Sequence, residues 1–280
     1  MSALRATELQ SPLARLLQAP RYEVIPVRGI EDKVAGLPPG ATVTVTASPG
    51  HGFERTIEVS ERLAAAGYSV VPHLSARMIP GRETLAAAVE RLRAAGVTEA
   101  FVVGGDAWPP AGDFSDAEQV LEALAGLPDR FSRLGVGGYP EGHPSIPDDK
   151  LREALLRKQE LADYVATQIC FDAGALQAWI EGLRGAGLRL PVVVGLPGVV
   201  DRRKLAEVSL QTGVGASVRY LVKHRRQVTR LMRRRTYDPT PLAAAVAALL
   251  DRPDLGIEGV HLFTFNQVDA TRAWVEASSV

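Results

Sequence analysis

Two acidic residues stand in apolar stretches of the sequence, and both are suited to chemistry. Glu23 lies within the run YEVIP at 22–26, and Asp106 follows the run EAFVVGG at 99–105. A carboxyl group shielded from water keeps its proton more readily, and a general acid must be protonated near neutral pH. We therefore predict an acid at Glu23 and a ligand-contacting carboxylate at Asp106. In the alternative, Glu23 pairs with an arginine such as Arg28, and Gly-Gly-Asp before two prolines is a simple turn.

Most of the other predicted strands also carry a polar residue, within the strand or at its carboxyl end. A buried polar group without a partner costs about 1–3 kcal/mol, so packing alone does not explain this recurrence. In a parallel barrel the carboxyl ends of all strands meet at one face. We therefore predict one concave polar site there. Its further members are Thr46, His73, Tyr139, Glu141, His143, Gln168, Thr264, Asn266 and Gln267.

The histidine, cysteine and serine patterns argue against several other kinds of site. No H-x-x-x-H or H-E-x-x-H spacing occurs, so no metal site is predicted. Cys170, the single cysteine, lies in an apolar run and is interpreted as a buried structural thiol. His51 and His261 are interpreted as structural or surface residues. No G-x-S-x-G motif is present, which disfavours acyl transfer.

Composition limits the partners and the compartment. The chain has 280 residues, 46% of them hydrophobic, and a formal net charge of zero. A neutral chain is not expected to bind nucleic acid, and no apolar run reaches the roughly 20 residues that span a bilayer. A single cysteine and the absence of a recognisable signal peptide favour a cytoplasmic protein.

One segment departs from this even charge distribution. Residues 219–235 (RYLVKHRRQVTRLMRRR) are rich in lysine and arginine. The segment is either a solvated amphipathic helix or a site for an anionic ligand such as a phosphate or a polycarboxylate tail.

Apolar runs of strand length alternate with amphipathic stretches of helix length. Strands are predicted at 22–26, 41–47, 68–74, 99–105, 133–139, 164–170, 190–197 and 259–265. Helices are predicted at 7–18, 54–66, 82–95, 116–126, 148–162, 173–186, 201–211, 215–235, 240–251 and 267–277.

This alternation predicts an α/β fold, a single (β/α)8 TIM barrel that occupies residues 1–280. The first crossover is too short for a full helix, residues 1–20 form a helical extension, and extra helices precede the last strand. A doubly wound open sheet is the alternative, but it would normally carry G-x-G-x-x-G after the first strand.

Seven short motifs, in this order and at similar spacing, resemble the methylenetetrahydrofolate reductase family. They are Y-E-V-I-P, T-V-T-A, V-P-H-L, G-G-D-x-x-P-P, Y-P-E-G-H-P, A-T-Q-I-C-F-D and F-T-F-N, which together span residues 22–267. The resemblance implies a barrel that reduces 5,10-methylenetetrahydrofolate to 5-methyltetrahydrofolate.

The resemblance also implies roles for individual residues. Glu23 matches the glutamate that acts as general acid, Asp106 the aspartate that contacts the pterin and stabilises an iminium cation, and Gln168 the glutamine that hydrogen-bonds the pterin. Asn266 and Gln267 are predicted to bind substrate. The predicted cofactor-binding residues are Thr46, His73, Gly104, Gly105, Tyr139, His143 and Lys158.

Departures from the family pattern fall on the flavin side of the site. Gly104 stands where the family keeps an arginine, Ala47 replaces a tyrosine, Lys158 is one residue out of register, and a family phenylalanine falls on Val208. We therefore predict that FAD is absent and that NADH, or NADPH, passes hydride directly to a tetrahydrofolate derivative, which could be polyglutamylated.

Three alternatives to a flavin-free reductase remain open. The first is a conventional enzyme that holds FAD through other contacts. The second is a folate-binding barrel without turnover, and the third is a folate-dependent methyltransferase or demethylase on the same barrel.

Overall fold

Eight parallel strands close into a barrel in the computed structural model of this chain, with neighbours in the order β1 to β8 and β8 beside β1. The structure describes residues 11–201 and 236–279. The strands are β1 Arg21–Val24, β2 Thr42–Val45, β3 Ser69–Ser75, β4 Glu99–Val103, β5 Arg133–Gly138, β6 Tyr164–Thr167, β7 Val192–Pro197 and β8 Ile257–Phe263.

Helices surround this barrel. They are α1 Pro12–Leu16, α2 Ile30–Val34, α3 Phe53–Ala65, α4 Arg82–Ala94, α5 Ala117–Ala125, α6 Asp148–Lys158, α7 Ala173–Gly185, α8 Thr240–Ala247 and α9 Val268–Ser278. Within the described residues, no helix has the length and apolar character needed to cross a bilayer.

The predicted fold class is confirmed, and so is the shortened first crossover, which holds only the five-residue helix α2. Strand β6 ends at Thr167, so Gln168 follows the strand instead of lying within it. The helices predicted at 201–211 and 215–235, including the basic segment and Val208, lie outside the described residues, as does the start of the predicted helix 7–18.

Local signals explain where the helices around the site begin. Asp116 caps α5 by accepting a hydrogen bond from the Gln119 amide at 3.1 Å. Asp172 caps α7 by accepting from the amides of Gly174 and Ala175. Each cap satisfies an amide that the first turn of a helix leaves unpaired, which fixes the preceding loop at the carboxyl end of the barrel.

The amino-terminal end of the barrel is closed by a buried charged network. Arg21 pairs with Glu99 and donates a hydrogen bond to the Tyr164 hydroxyl at 2.9 Å, and its guanidinium lies 4.5 Å from the centre of the Tyr164 ring. These side chains satisfy one another, so the floor excludes water without leaving a buried charge unpaired. Polar chemistry is thereby left to the opposite end.

The Tyr164 ring of this network packs against Gly135 in β5. A Cβ atom there would lie 2.1 Å from Cζ of Tyr164. We expect Gly135→Ala to lower the free energy of unfolding by about 1–3 kcal/mol, because the Tyr164 ring must move within a packed interior. The matched control is Gly259→Ala in β8, where a Cβ meets nothing within 4 Å. Thermal melts should show a lower melting temperature for the first variant only, and equal melts would contradict the packing argument.

Candidate active site

Two cavities at the carboxyl end of the barrel share Val103, Tyr139 and Gln168 among their lining residues. The deeper one, of about 130 Å³, is also lined by Glu23, His73 and His261. The shallower one, of about 180 Å³, is also lined by Gly105, Asp106 and His143. The two cavities therefore form one site, with Glu23 at its floor and Asp106 at its rim.

Glu23 is held at the floor by a histidine. Its Oε2 atom lies 2.9 Å from Nε2 of His261, and the side chains of Glu23 and His261 are only 14% and 5% exposed. The expected alternative partner, Arg28, does not make this contact. In the Nε2–H tautomer the imidazole donates to Oε2, which leaves Oε1 for a ligand.

Two phenylalanines form the side walls of the deeper cavity. The ring of His73 lies 4.8 Å from that of Phe101, and the ring of His261 lies 4.8 Å from that of Phe263. The cavity thus combines aromatic walls with a few polar groups, which is typical of binding sites for small molecules.

His73 is buried and lines the deeper cavity together with Glu23. Burial lowers the pKa of His73 to about 4, although the nearby Glu23 acts in the opposite direction. The ring is therefore neutral near pH 7. Its Nε2 atom has no hydrogen-bond partner among residues 11–201 and 236–279.

The rim of the site contains Asp106, Tyr139 and His143. The rings of Tyr139 and His143 meet edge to face at 5.1 Å. Burial raises the pKa of Tyr139, and Asp106 adds to this effect. Burial lowers the pKa of His143, whereas Asp106 opposes it. Asp106 is the acidic residue among those that line the shallower cavity.

The two glycines before Asp106 differ in what they require. Gly105 has φ of +80°, and a Cβ there would lie 1.8 Å from the Ser75 hydroxyl. Only glycine therefore fits at this position. At Gly104 a Cβ meets nothing within 4 Å. Packing does not explain the missing arginine at that position.

The remaining predicted site residues are placed less centrally. Thr46 lies just after β2, and its amide bonds to Val24. Asn266 accepts from the Ile25 amide at 2.8 Å and donates to the Ile25 carbonyl at 3.1 Å, so it ties the end of β8 to β1. Gln267 accepts from the amide of Asp201 at 3.2 Å. A ligand-binding role for these three residues stays a prediction.

Lys158 lies in a third cavity, of about 360 Å³, that Gly104 and Tyr139 also line. Burial lowers the pKa of this lysine, although Glu118 and Asp116 oppose the effect. Its predicted role toward a cofactor stays a prediction.

Glu141 holds the loop that carries Gln168. Its Oε1 atom accepts from the amides of Phe171 at 2.9 Å and Asp172 at 3.2 Å, and Sγ of Cys170 lies 3.4 Å away. Burial and the neighbouring Glu141 raise the pKa of the Cys170 thiol well above its ordinary value, in keeping with a structural thiol.

Sequence reasoning set aside His261, which the structure places against Glu23. The missing signal is the two-residue period of strands. Phe263 is the register partner of Glu23 across the β1–β8 pair, so both face the barrel interior. His261, two residues earlier, faces the same way. A correct alignment of β8 with β1 would have found it.

If Glu23 is the acid that the sequence predicts, we expect the side chain at position 261 to determine its orientation. The side-chain amide nitrogen of a glutamine lies near the position of Nε2 in a histidine, whereas that of an asparagine lies near the position of Nδ1. His261→Gln should therefore keep kcat within a fewfold, and His261→Asn should lower it by about tenfold. Steady-state rates of the two variants test this. Equal rates in the two variants would show that the 2.9 Å contact does not orient the acid.

Glu23, His73 and His261 also form a group that could hold a metal ion, since their ligand atoms all lie within 4.8 Å of one another. No metal site was predicted, because the histidines do not have the spacing of a metal-binding motif in the sequence. These three residues instead come from β1, β3 and β8.

The closed barrel of eight parallel strands places this chain in the class of (β/α)8 barrel proteins. In that class, sites lie at the carboxyl ends of the strands, where this chain has acids, histidines and an amide. The family model for methylenetetrahydrofolate reductase matches residues 29–279. The chain therefore belongs to the methylenetetrahydrofolate reductase family.

Individual relatives are distant. Methylenetetrahydrofolate reductase 1 of Schizosaccharomyces pombe is 37% identical over 67 residues, which cover 22% of this chain and 11% of that protein. Methylenetetrahydrofolate reductase (NADH) 1 of Arabidopsis thaliana is 23% identical over 168 residues, which cover 52% of this chain and 28% of that protein. The chain thus matches less than a third of the length of either relative.

Solved structures agree on the fold. An uncharacterized protein from Clostridium thermocellum, described as binding two copies of 5-methyl-5,6,7,8-tetrahydrofolic acid, superposes with a TM-score of 0.60 at 14% identity, covering 99% of both chains. An oxaloacetate acetylhydrolase in complex with oxalate gives 0.52 at 11% identity, covering 95% of this chain and 83% of the other.

Proposed function

We propose that this protein reduces 5,10-methylenetetrahydrofolate to 5-methyltetrahydrofolate with hydride from NADH and without a bound flavin. The observation that carries the proposal is the position of Glu23, whose side chain is partly buried beside His261 in a cavity that Gln168 also lines. Family membership and the folate-binding neighbour in the comparisons support the same substrate class.

The proposed reaction consumes one hydride and one proton. The imidazolidine ring of the substrate opens when its leaving amine nitrogen accepts a proton, and the remaining carbon is then an iminium cation. Glu23 is the proton donor in this proposal, because it is shielded from water and lies at the cavity floor. The hydride then adds to the iminium carbon, which gives the methyl group.

Asp106 has the complementary task. A cation that forms in a partly desolvated site is stabilised by a preorganised negative charge. Asp106 shares its cavity with Gln168, whose amide can both donate to and accept from a pterin edge. The aromatic walls of Phe101 and Phe263 offer flat contact surfaces for the same ring system.

We base the proposed absence of a flavin on Gly104, which stands where the family keeps an arginine. The amide of Arg77 donates to the Gly104 carbonyl at 3.0 Å, but its guanidinium is engaged elsewhere: Nε donates to the Ser115 carbonyl at 3.0 Å, and the group lies 5.6 Å from the centre of the Trp108 ring. NADH, when bound, would supply the hydride that a flavin supplies elsewhere. Tyr139 and His143 are the residues proposed to border it at the rim.

Lys158 favours a second candidate, a conventional flavoenzyme. It lines the same cavity as Gly104 and could offer a cation to a diphosphate from another direction.

The basic segment at 219–235 is proposed to bind the glutamate tail of the folate, which is a further anion.

The absorption spectrum of the purified protein, taken together with a rate assay, tests the proposal. We expect no flavin band, and oxidation of NADH that depends on methylenetetrahydrofolate and yields an equal amount of the 5-methyl product. A stoichiometric flavin band would replace the first candidate by the second. Folate binding without NADH oxidation would indicate a binding protein, and turnover without nicotinamide nucleotide would indicate methyl transfer.

A further inference from the structure

Three strands bring metal-ligating side chains to one point on the barrel axis. Glu23 in β1, His73 in β3 and His261 in β8 each offer one ligand atom, and these atoms all lie within 4.8 Å of one another. Oε2 of Glu23 and Nε2 of His261 are already 2.9 Å apart. Two imidazoles and one carboxylate are a set that binds zinc and similar transition metals, whereas magnesium and calcium prefer oxygen ligands.

His73 gives a separate indication that this cluster accepts a ligand. The residue is 7% exposed, and its buried Nε2 atom has no hydrogen-bond partner within the described parts of the chain. A buried polar atom without a partner is costly, so a group that binds there gains the energy of satisfying it.

We propose that Glu23, His73 and His261 form an inhibitory binding site for a divalent transition metal ion of the Zn²⁺ class. Zinc holds nitrogen and oxygen ligands at about 2.0–2.2 Å, which places two ligands of one tetrahedral ion roughly 3.4 Å apart. The proposal therefore requires the cluster to contract from its widest separation of up to 4.8 Å when the ion binds. The cavity of about 130 Å³ leaves room for the ion and a water as its fourth ligand.

Inhibition follows from the identity of the ligands. A carboxylate bound to a metal cannot carry the proton that Glu23 would donate, and the ion fills the floor of the folate cavity. Metal and substrate therefore exclude each other. This consequence rests on the proposed reductase function, whereas the binding of the metal does not.

Binding is tested with chelator-treated protein and two probes, Zn²⁺ in calorimetry and Co²⁺ in visible absorption. We expect one ion per chain, with Co²⁺ bands typical of low coordination number. His73→Leu and His261→Leu should each weaken binding by at least about 100-fold, because each removes one of three protein ligands. His51→Leu, on an exposed residue, is the matched control and should bind as the unmodified protein does. Thermal melts of each variant test whether it is folded.

Rate measurements then separate the two proposals. Zn²⁺ should lower the reductase rate in competition with folate, and a chelator should restore it. Absence of binding, or binding that His73→Leu and His261→Leu leave unchanged, overturns the metal site. One bound ion in a protein that has no reductase activity leaves the metal site standing and overturns the proposed function instead.

Discussion

Glu23→Gln is expected to lower kcat by about 10³-fold while folate affinity stays within a fewfold of that of the unmodified protein. The glutamine keeps the size of the side chain and can still bond to Nε2 of His261, so the cavity floor is preserved. It cannot release a proton, so the amine leaving group departs without one. Loss of rate at unchanged affinity is what the removal of an interaction made only in the transition state produces.

Steady-state rates and folate titration by fluorescence measure this effect. The matched control is Glu90→Gln, on an exposed residue of α4, which should behave as the unmodified protein does. A rate that Glu23→Gln leaves unchanged would remove Glu23 as the acid. A parallel loss of rate and affinity would instead indicate that the glutamate holds the substrate.

Asp106→Asn is expected to lower kcat/KM for methylenetetrahydrofolate by about 10²-fold. The substitution keeps the shape of the side chain but removes the negative charge that faces Tyr139 and His143 across the rim cavity. The loss should fall mainly on kcat, because the positive charge of the substrate is greatest in the iminium.

Asp113→Asn provides the control, since Asp113 is exposed and lies in the same loop between β4 and α5. The affinity for 5-methyltetrahydrofolate gives a second measurement, because this product carries no iminium. An Asp106→Asn variant that loses affinity for product as strongly as it loses rate would contradict charge stabilisation and favour a simple contact with the ring.

The barrel could be predicted because its signals are local. Apolar runs such as VVVGLP (192–197) are buried along their whole length, and helix caps such as Asp116 and Asp172 can be identified in the sequence. The same reasoning singled out Asp106, which follows an apolar run, and Gln168, which was placed within one. Their shared cavity follows from the closed topology.

The partners of these residues could not be predicted from spacing. Glu23 and His261 are 238 positions apart, and only the β1–β8 pairing brings them together. The same holds for the approach of His73 to both residues. Asn266 shows the opposite limit, because its position beside the site suggests ligand binding while its amide bonds the backbone of Ile25. A residue type and a position on a strand do not determine which group a side chain faces.

Gly104 and Gly105 give the rim loop two adjacent positions with opposite tolerance for change. The backbone at position 105 is left-handed, and a side chain there would also collide with Ser75. A substitution at 105 therefore disrupts the turn that carries Asp106. A side chain at 104 enters open space. A single codon change to arginine there would introduce a cation for a diphosphate without refolding the loop. A change at position 104 that favours a bound cofactor can therefore evolve separately from the acid proposed at Glu23, at the floor of the cavity.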